Sequence, residues 1–278
     1  MAKRGAIRPS WKQDWWNIGM IVALVAALLF AGYAGIVAMT REESDYVSTY
    51  TPPVAEAPVV RTAADRDADL DTIRALVASP EPVTISVLGD STGNSANEWV
   101  ALWARDLAQT KTVRIHYWED ETYKPDVEQI GSGPVVDIWN GSQPGAGAGY
   151  AVDHLDELQP EPPAVTLVNF GHNQQAASAG SEIGRLIAAT GRKWATDIPT
   201  AVVLQNVAGE PRAQRSADNV ESIKRMAESR AIPTLDVHAE FAAAPDLNSL
   251  IAADGTGVHP TPAGSEIWAR VVSDQLNP

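Results

Sequence analysis

The 278-residue chain is 45% hydrophobic and 20% charged, a globular balance with enough apolar material for a sizeable core. It has no cysteine, which excludes disulfides, thiolate metal sites and cysteine nucleophiles. The net charge is −14 and unevenly placed: residues 1–40 carry +3, leaving −17 on the remainder. A domain so acidic repels phosphate backbones, which argues against a nucleic-acid partner.

Residues 1–17 form a basic N-terminus holding Lys3, Arg4, Arg8 and Lys12. Ile18 to Met39 is an uncharged, mostly apolar run that rises about 33 Å as a helix, enough to cross a hydrocarbon core. Trp11, Trp15 and Trp16 precede it as an interfacial belt, and the basic residues before them predict a cytoplasmic N-terminus. The reading is a single-pass membrane anchor over 18–39 with the larger part of the chain extracytoplasmic. A cleaved signal peptide is the competing reading, but its apolar region is usually about 7 to 15 residues and ends in a small-x-small site. Residues 40–82 are rich in Pro, Ala, Thr and acidic side chains, the composition of a solvated stalk. Within that stretch Leu70, Ile73, Leu76 and Val77 have helical spacing and predict a short amphipathic helix docked on the domain that follows.

From 83 to 278, strand-like apolar runs alternate with amphipathic segments. Strands are predicted at Val83–Leu88, Val113–Tyr117, Val135–Trp139, Val165–Phe170, Ala201–Val207 and Thr234–Val237. Helices are predicted at Ala96–Gln109, Gly149–Leu158, Ser178–Thr190, Arg215–Arg230 and Pro262–Leu276. This alternation implies βαβ units and an α/β class domain, a three-layer α/β/α sandwich around a mainly parallel sheet.

Ligands of such sheets gather outside the carboxyl ends of the strands, and four features fall there. Ser91 follows the first strand in ISVLGDSTGN. Gly145 lies in NGSQPGAG after the Val135 strand, Asn173 in FGHNQ after the Val165 strand, and His259 in GVHPTPAG before the last helix. Gly89 to Gly93 also fits G-x-S-x-G, the α/β-hydrolase elbow. That fold places several strands and an upstream oxyanion motif before its serine, whereas one strand precedes Ser91. Gly93 is therefore read as incidental to the elbow.

The set and its order resemble the SGNH, or GDSL-type, hydrolase family, over residues 83–278. Gly89-Asp90-Ser91 matches the first block and Val258-His259-Pro260 the last. Gly145 stands for the glycine of the second block, with Gly141 as the fallback. Gly171-His172-Asn173-Gln174 is similar to the third block, with Gln174 where an Asp is customary. The resemblance implies a flavodoxin-like fold and a serine hydrolase that needs no metal and no cofactor. Ser91 is then the nucleophile and His259 the base that takes its proton. The oxyanion donors are the backbone N–H groups of Ser91 and Gly145 and the side-chain amide of Asn173. The family's Asp normally sits three residues before the His, where this chain has Thr256. Asp254, five before, is the nearest carboxylate, and Gly255 and Gly257 offer a loop able to bring it to the ring. The alternative is a Ser–His dyad oriented by a backbone carbonyl.

His172 is a candidate pocket residue. His116, His154 and His238 have no evident partner, and Trp139 is a possible substrate contact. These readings add up to a membrane-anchored extracytoplasmic serine esterase. Its substrates would be O-acyl esters of a cell-wall glycan, a lipid or a small alcohol. An O-acyltransferase on the same fold, or a non-catalytic envelope-binding module, are the alternatives.

Overall fold

The computed structural model describes residues 61–277. The expected anchor at 18–39, the basic segment 1–17 and the stalk up to residue 60 lie outside the described residues. Among the described residues no helix is long and apolar enough to cross a membrane.

Helix α1, Ala63–Ala78, is the amphipathic segment anticipated in the stalk. Its start is fixed by reciprocal capping, in which the Thr62 hydroxyl accepts from the Asp65 N–H and the Asp65 carboxylate accepts from the Thr62 N–H. Ile73 and Val77 are fully buried in the core beneath it, so the packed body extends N-terminal of Val83. The remaining elements, in chain order, are β1 (Val83–Gly89), α2 (Trp99–Leu107), β2 (Thr112–Glu119), β3 (Thr122–Tyr123), β4 (Glu128–Gly131) and β5 (Val135–Asn140). They continue with α3 (Ala148–Asp153), α4 (Leu155–Leu158), β6 (Val165–Asn169), α5 (Ala179–Trp194) and β7 (Thr200–Leu204). Last come α6 (Ala213–Ser229), β8 (Thr234–Asp236), α7 (Val237–Ala242) and α8 (Pro262–Leu276).

The eight strands form one sheet in the order β3-β2-β5-β1-β6-β7-β8, with β4 also on β2. All pairings from β2 across to β8 are parallel, and only β3 and β4 run antiparallel. Strands buried on both faces read as continuous apolar runs, which is why VTISVLG and VTLVN were legible as strands. Side chains alternate between two cores. Ile85, Val87 and Leu167 pack with Trp99, Trp103 and Trp268 on one face, and Leu88 and Val168 pack with Phe170, Ile183 and Leu186 on the other. Trp99 and Trp268 stack in parallel, 6.0 Å apart, and join α2 to α8.

The register positions the site. Gly89 pairs with Asn169 and Val87 with Asn140, so β1, β5 and β6 end at one level with β1 in the middle. The chain leaves β1 for β2 on one side and returns through β6 on the other, so the loops after these strands meet at a topological switch point.

Several boundaries differ from the sequence reading. The helix expected over Gly149–Leu158 breaks at His154 into α3 and α4. Strand β7 stops at Leu204, because the next two side chains, Gln205 and Asn206, turn into the loop network described below. Helix α2 begins at Trp99 rather than Ala96, after a turn in which the Glu98 carboxylate accepts from the Ser95 N–H. The β3 and β4 strands were not anticipated.

Candidate active site

Ser91 sits in the turn leaving β1, and the sequence dictates that turn by close packing. A Cβ on Gly89 would lie 2.9 Å from the Ser142 Oγ and 3.2 Å from the Asn169 carbonyl oxygen. Gly93 has a packing role: a Cβ there would lie 2.8 Å from the Trp99 Nε1, and its carbonyl accepts from the Asn140 amide at 2.8 Å. It seats the turn on α2 and β5.

The Ser91 Oγ lies 2.8 Å from the His259 Nε2. On the other side of the ring, the His259 Nδ1 lies 2.5 Å from the Asp254 Oδ2. An ionised carboxylate only accepts, so Nδ1 carries the proton and Nε2 is left to accept from the serine hydroxyl. The acid expected from five residues upstream is therefore in contact with the ring, and the dyad alternative is not the arrangement observed. Gly255 (φ +82°) and Gly257 (φ +73°) let the loop take this longer path in left-handed backbone, and a Cβ on Gly257 would meet two carbonyl oxygens at 2.8 Å. The ends are tied by the Ala252 N–H donating to the His259 carbonyl.

Thr256, at the customary position of the acid, serves Asp254 instead. Its N–H and its hydroxyl both donate to the Asp254 Oδ1, at 2.8 and 2.7 Å, and its Oγ1 is 3.3 Å from the His259 Nδ1. Partial burial alone would raise the Asp254 carboxyl. The hydrogen bonds from His259 and Thr256 outweigh it and hold the group down to about 2.

Gly145 is the third residue of the turn Gln143-Pro144-Gly145-Ala146, closed by the Ala146 N–H on the Gln143 carbonyl at 3.2 Å. Its φ of +75° with proline before it is the type II pattern, which requires glycine. A Cβ there would meet nothing within 4 Å, so this glycine borders open space. Gly141, the fallback, spends its N–H on the Val87 carbonyl at 2.9 Å. The Asn173 side-chain NH2 faces the same turn, donating to the Ala146 carbonyl at 3.0 Å and, more loosely, to the Asp90 Oδ2 at 3.3 Å. Engaging a substrate oxygen means exchanging the longer of these two bonds.

Beneath the site lies a network that sequence reasoning missed. Asp90 is fully buried, and its Oδ1 accepts from the Thr92 N–H and hydroxyl while its Oδ2 accepts from Gln205 as well as Asn173. The Gln205 Oε1 accepts from the His172 N–H at 2.6 Å. The His172 ring reaches Asn206, and the Asn206 amide donates to the Val258 carbonyl, one residue before His259. Ser91, Asn173 and His259 are thus braced by one buried lattice. Its signal in the sequence was the pair Gln205-Asn206 at the carboxyl end of β7, the same edge as the four motifs. Burial pushes the His172 pKa down against the opposing pull of Asp90, and the side chain is a brace rather than a pocket wall. Burial likewise raises the Glu98 carboxyl, against the Ser95 N–H bond. Gln174, in the customary place of an Asp, is buried, with both amide atoms lacking a hydrogen-bond partner.

Three other residues that the sequence singled out have partners of their own. Trp139, the possible substrate contact, stacks on His116 at 4.0 Å, and its Nε1 donates to Glu161 at 3.0 Å. His116 therefore has partners, Trp139 and Asp137. His154 packs on Tyr150 with ring centroids 4.2 Å apart.

This fold recurs in solved structures. A lipase/acylhydrolase from Enterococcus faecalis superposes with a TM-score of 0.52 at 16% identity, covering 70% of this chain and 94% of its own. The domain has the SGNH-hydrolase fold. A member of the lipolytic G-D-S-L family from Veillonella parvula gives 0.50 at 13% identity over 69% and 96% of the two chains. A variant of an acetyl-xylooligosaccharide esterase from Geobacillus gives 0.52 at 16% over 72% and 96%. No protein-family model matches the sequence, and neither does any curated protein. The SGNH fold accounts for the convergence of the four loops; the displaced acid and its threonine clamp are read from this chain's own geometry.

Proposed function

We propose that this chain is a serine esterase that hydrolyses O-acyl esters through an acyl-enzyme. The observation that carries the reading is the continuous relay from the Ser91 hydroxyl through the His259 ring to the Asp254 carboxylate. Ser91 attacks the ester carbonyl as His259 takes its proton, and Asp254 holds the ring in the tautomer able to do so. Charge developing on the carbonyl oxygen falls toward the N–H groups of Ser91 and Gly145 and the amide of Asn173, each such donor being worth about 3 to 4 kcal/mol in comparable sites. His259 then gives the proton to the leaving alcohol, and a water activated by the same ring releases the acid. The folds of an acylhydrolase and of an acetyl-xylooligosaccharide esterase support an ester substrate.

The location belongs to the same proposal. The run Ile18–Met39 with its basic and tryptophan-rich approach supports a membrane tether with an extracytoplasmic domain. That placement favours an O-acylated cell-envelope polysaccharide over a cytoplasmic metabolite. A fluorophosphonate probe tests the chemistry. Wild type is expected to be labelled at Ser91 and to hydrolyse p-nitrophenyl acetate, and Ser91→Ala to do neither. If the two proteins are equally unreactive in both assays, the esterase reading fails. Retention in membranes after carbonate washing, lost on removal of residues 1–40, tests the tether.

A further inference from the structure

A cleft of about 480 Å³ opens between the loops that follow β1 and β5, within the range of about 300–1,000 Å³ that small-molecule sites occupy. One wall is Asn94 to Ala96, three to five residues beyond Ser91. Another is Gln143-Pro144, the start of the turn that presents Gly145. The far wall is the end of β2 with Asp120. The cleft is therefore bounded by the two loops that present the candidate nucleophile and an oxyanion donor, and it extends away from them toward the sheet edge.

Its chemistry is polar and mixed. Asn94 and Gln143 each offer a donor and an acceptor in one amide, and Glu119 and Asp120 offer carboxylate acceptors. Lys124 contributes an ammonium, which lies 2.5 Å from the Glu119 carboxylate. Asp120 is left as the carboxylate not balanced by that pair. The apolar part of the lining is Ala96, Pro144, Tyr117 and Trp118, and among the described residues the one exposed large hydrophobic is Val127, which is not in the cleft. No Leu, Ile, Val, Met or Phe lines it to hold a long acyl chain. A neutral polyol does suit the lining, since each hydroxyl both donates to a carboxylate and accepts from an amide.

The backbone at the far wall adds a second observation. Asp120 and Glu121 form the two-residue tip between β2 and β3, with φ +50° and +60°. Such tips are commonly built from Asn-Gly or Asp-Gly, and Glu is a costly choice. Strain of this kind is retained where it aims a side chain, and here it sets Asp120 at the cleft.

Resting on the esterase reading above, we propose that this cleft holds the alcohol half of the ester, a neutral carbohydrate, and that Asp120 is a specificity-determining acceptor for its hydroxyls. The binding test uses the full chain carrying Ser91→Ala, titrated by calorimetry with unesterified oligosaccharides of xylose, glucose, mannose and N-acetylglucosamine. At least one is expected to bind, and to bind about tenfold more weakly when Asp120→Asn or Asp120→Gly is added. Both replacements tolerate the left-handed tip, so loss of the hairpin is not confounded with loss of the carboxylate. With Ser91 intact, Asp120→Asn is expected to lower kcat/KM on an acetylated oligosaccharide about tenfold more than on p-nitrophenyl acetate. The proposal is overturned if none of the four sugars binds, if both Asp120 variants bind as tightly as their parent, or if p-nitrophenyl palmitate is preferred to the acetylated sugar. Failure of the esterase reading appears separately, as absent fluorophosphonate labelling, and the titration decides the cleft in either case.

Discussion

Replacing Asp254 by Asn should damage the reaction more than replacing it by Ala, although Asn is closer in shape. Thr256 aims two donors, its N–H and its hydroxyl, at the Asp254 Oδ1. The backbone N–H cannot reverse its polarity, so an Asn at 254 turns its carbonyl oxygen toward Thr256 and its NH2 toward the His259 Nδ1. That nitrogen must then accept, which places the ring proton on Nε2, 2.8 Å from the Ser91 Oγ, where it abolishes the base. The charge itself counts for less, because the Asp254 side chain is 35% exposed and solvent screens it. The equivalent tautomer error in a serine protease costs about 10⁴ in kcat. For Asp254→Asn the expectation is about 10³ to 10⁴, or roughly 4 to 5.5 kcal/mol of barrier. Asp254→Ala leaves the Nδ1 proton to water and to the Thr256 hydroxyl at 3.3 Å, and the expected loss is nearer 10². Kinetics on p-nitrophenyl acetate and rates of fluorophosphonate labelling read both variants, with circular dichroism to verify folding. An Asn variant retaining more than a tenth of wild-type activity, or one milder than Ala, refutes the assignment of Asp254 and Thr256 together.

Moving the acid to its customary place is the companion test: Asp254→Ala with Thr256→Asp should recover at least tenfold over Asp254→Ala alone in the same kinetics, since position 256 already brings an oxygen 3.3 Å from Nδ1. Gly257→Ala forces a side chain into left-handed backbone at about 1 to 2 kcal/mol, against two carbonyls at 2.8 Å, and should lower both the melting temperature and kcat by displacing the Asp254–His259 loop. His172 has its pKa depressed by burial, so on acidification the unfolded chain binds that proton first and stability falls as pH drops below the ordinary value of about 6.5. Melting scans from pH 7.5 to 5.5 should show this slope, and His172→Gln should flatten it, leaving the share due to His238, whose pKa is also lowered by burial. Gln174→Met removes two unpartnered amide atoms and should hold or raise the melting temperature, whereas Gln174→Asp buries a carboxylate without donors and should cost at least about 3 kcal/mol in urea unfolding.

How much of this was legible in the sequence follows from what each residue answers to. A strand such as VTISVLG is buried on both faces and declares itself locally, and so does Thr261-Pro262, where the threonine hydroxyl caps the start of α8 as its residue type demands. Ser91 and His259 were legible because a strand end or a helix start put each at the same edge. Asp254 was half legible. Glycine on either side of Thr256 announces left-handed backbone, but only the tertiary loop decides whether the carboxylate reaches the ring. The β2–β3 tip was invisible for the opposite reason. Asp120-Glu121 lacks the glycine or asparagine that usually marks a two-residue turn, so the fold overrides the local preference of these residues. The bracing lattice is the deeper case. Asp90 is a buried carboxyl met by hydroxyl, amide and backbone donors from the loops after β1, β6 and β7, up to 115 residues away. No local pattern encodes that partnership. It exists because the parallel register levels those strand ends, and the same leveling gives the chain a site there. Polar residues that close β7 at Gln205-Asn206, where an apolar strand would otherwise continue to Val207, are the trace such a lattice leaves in a sequence.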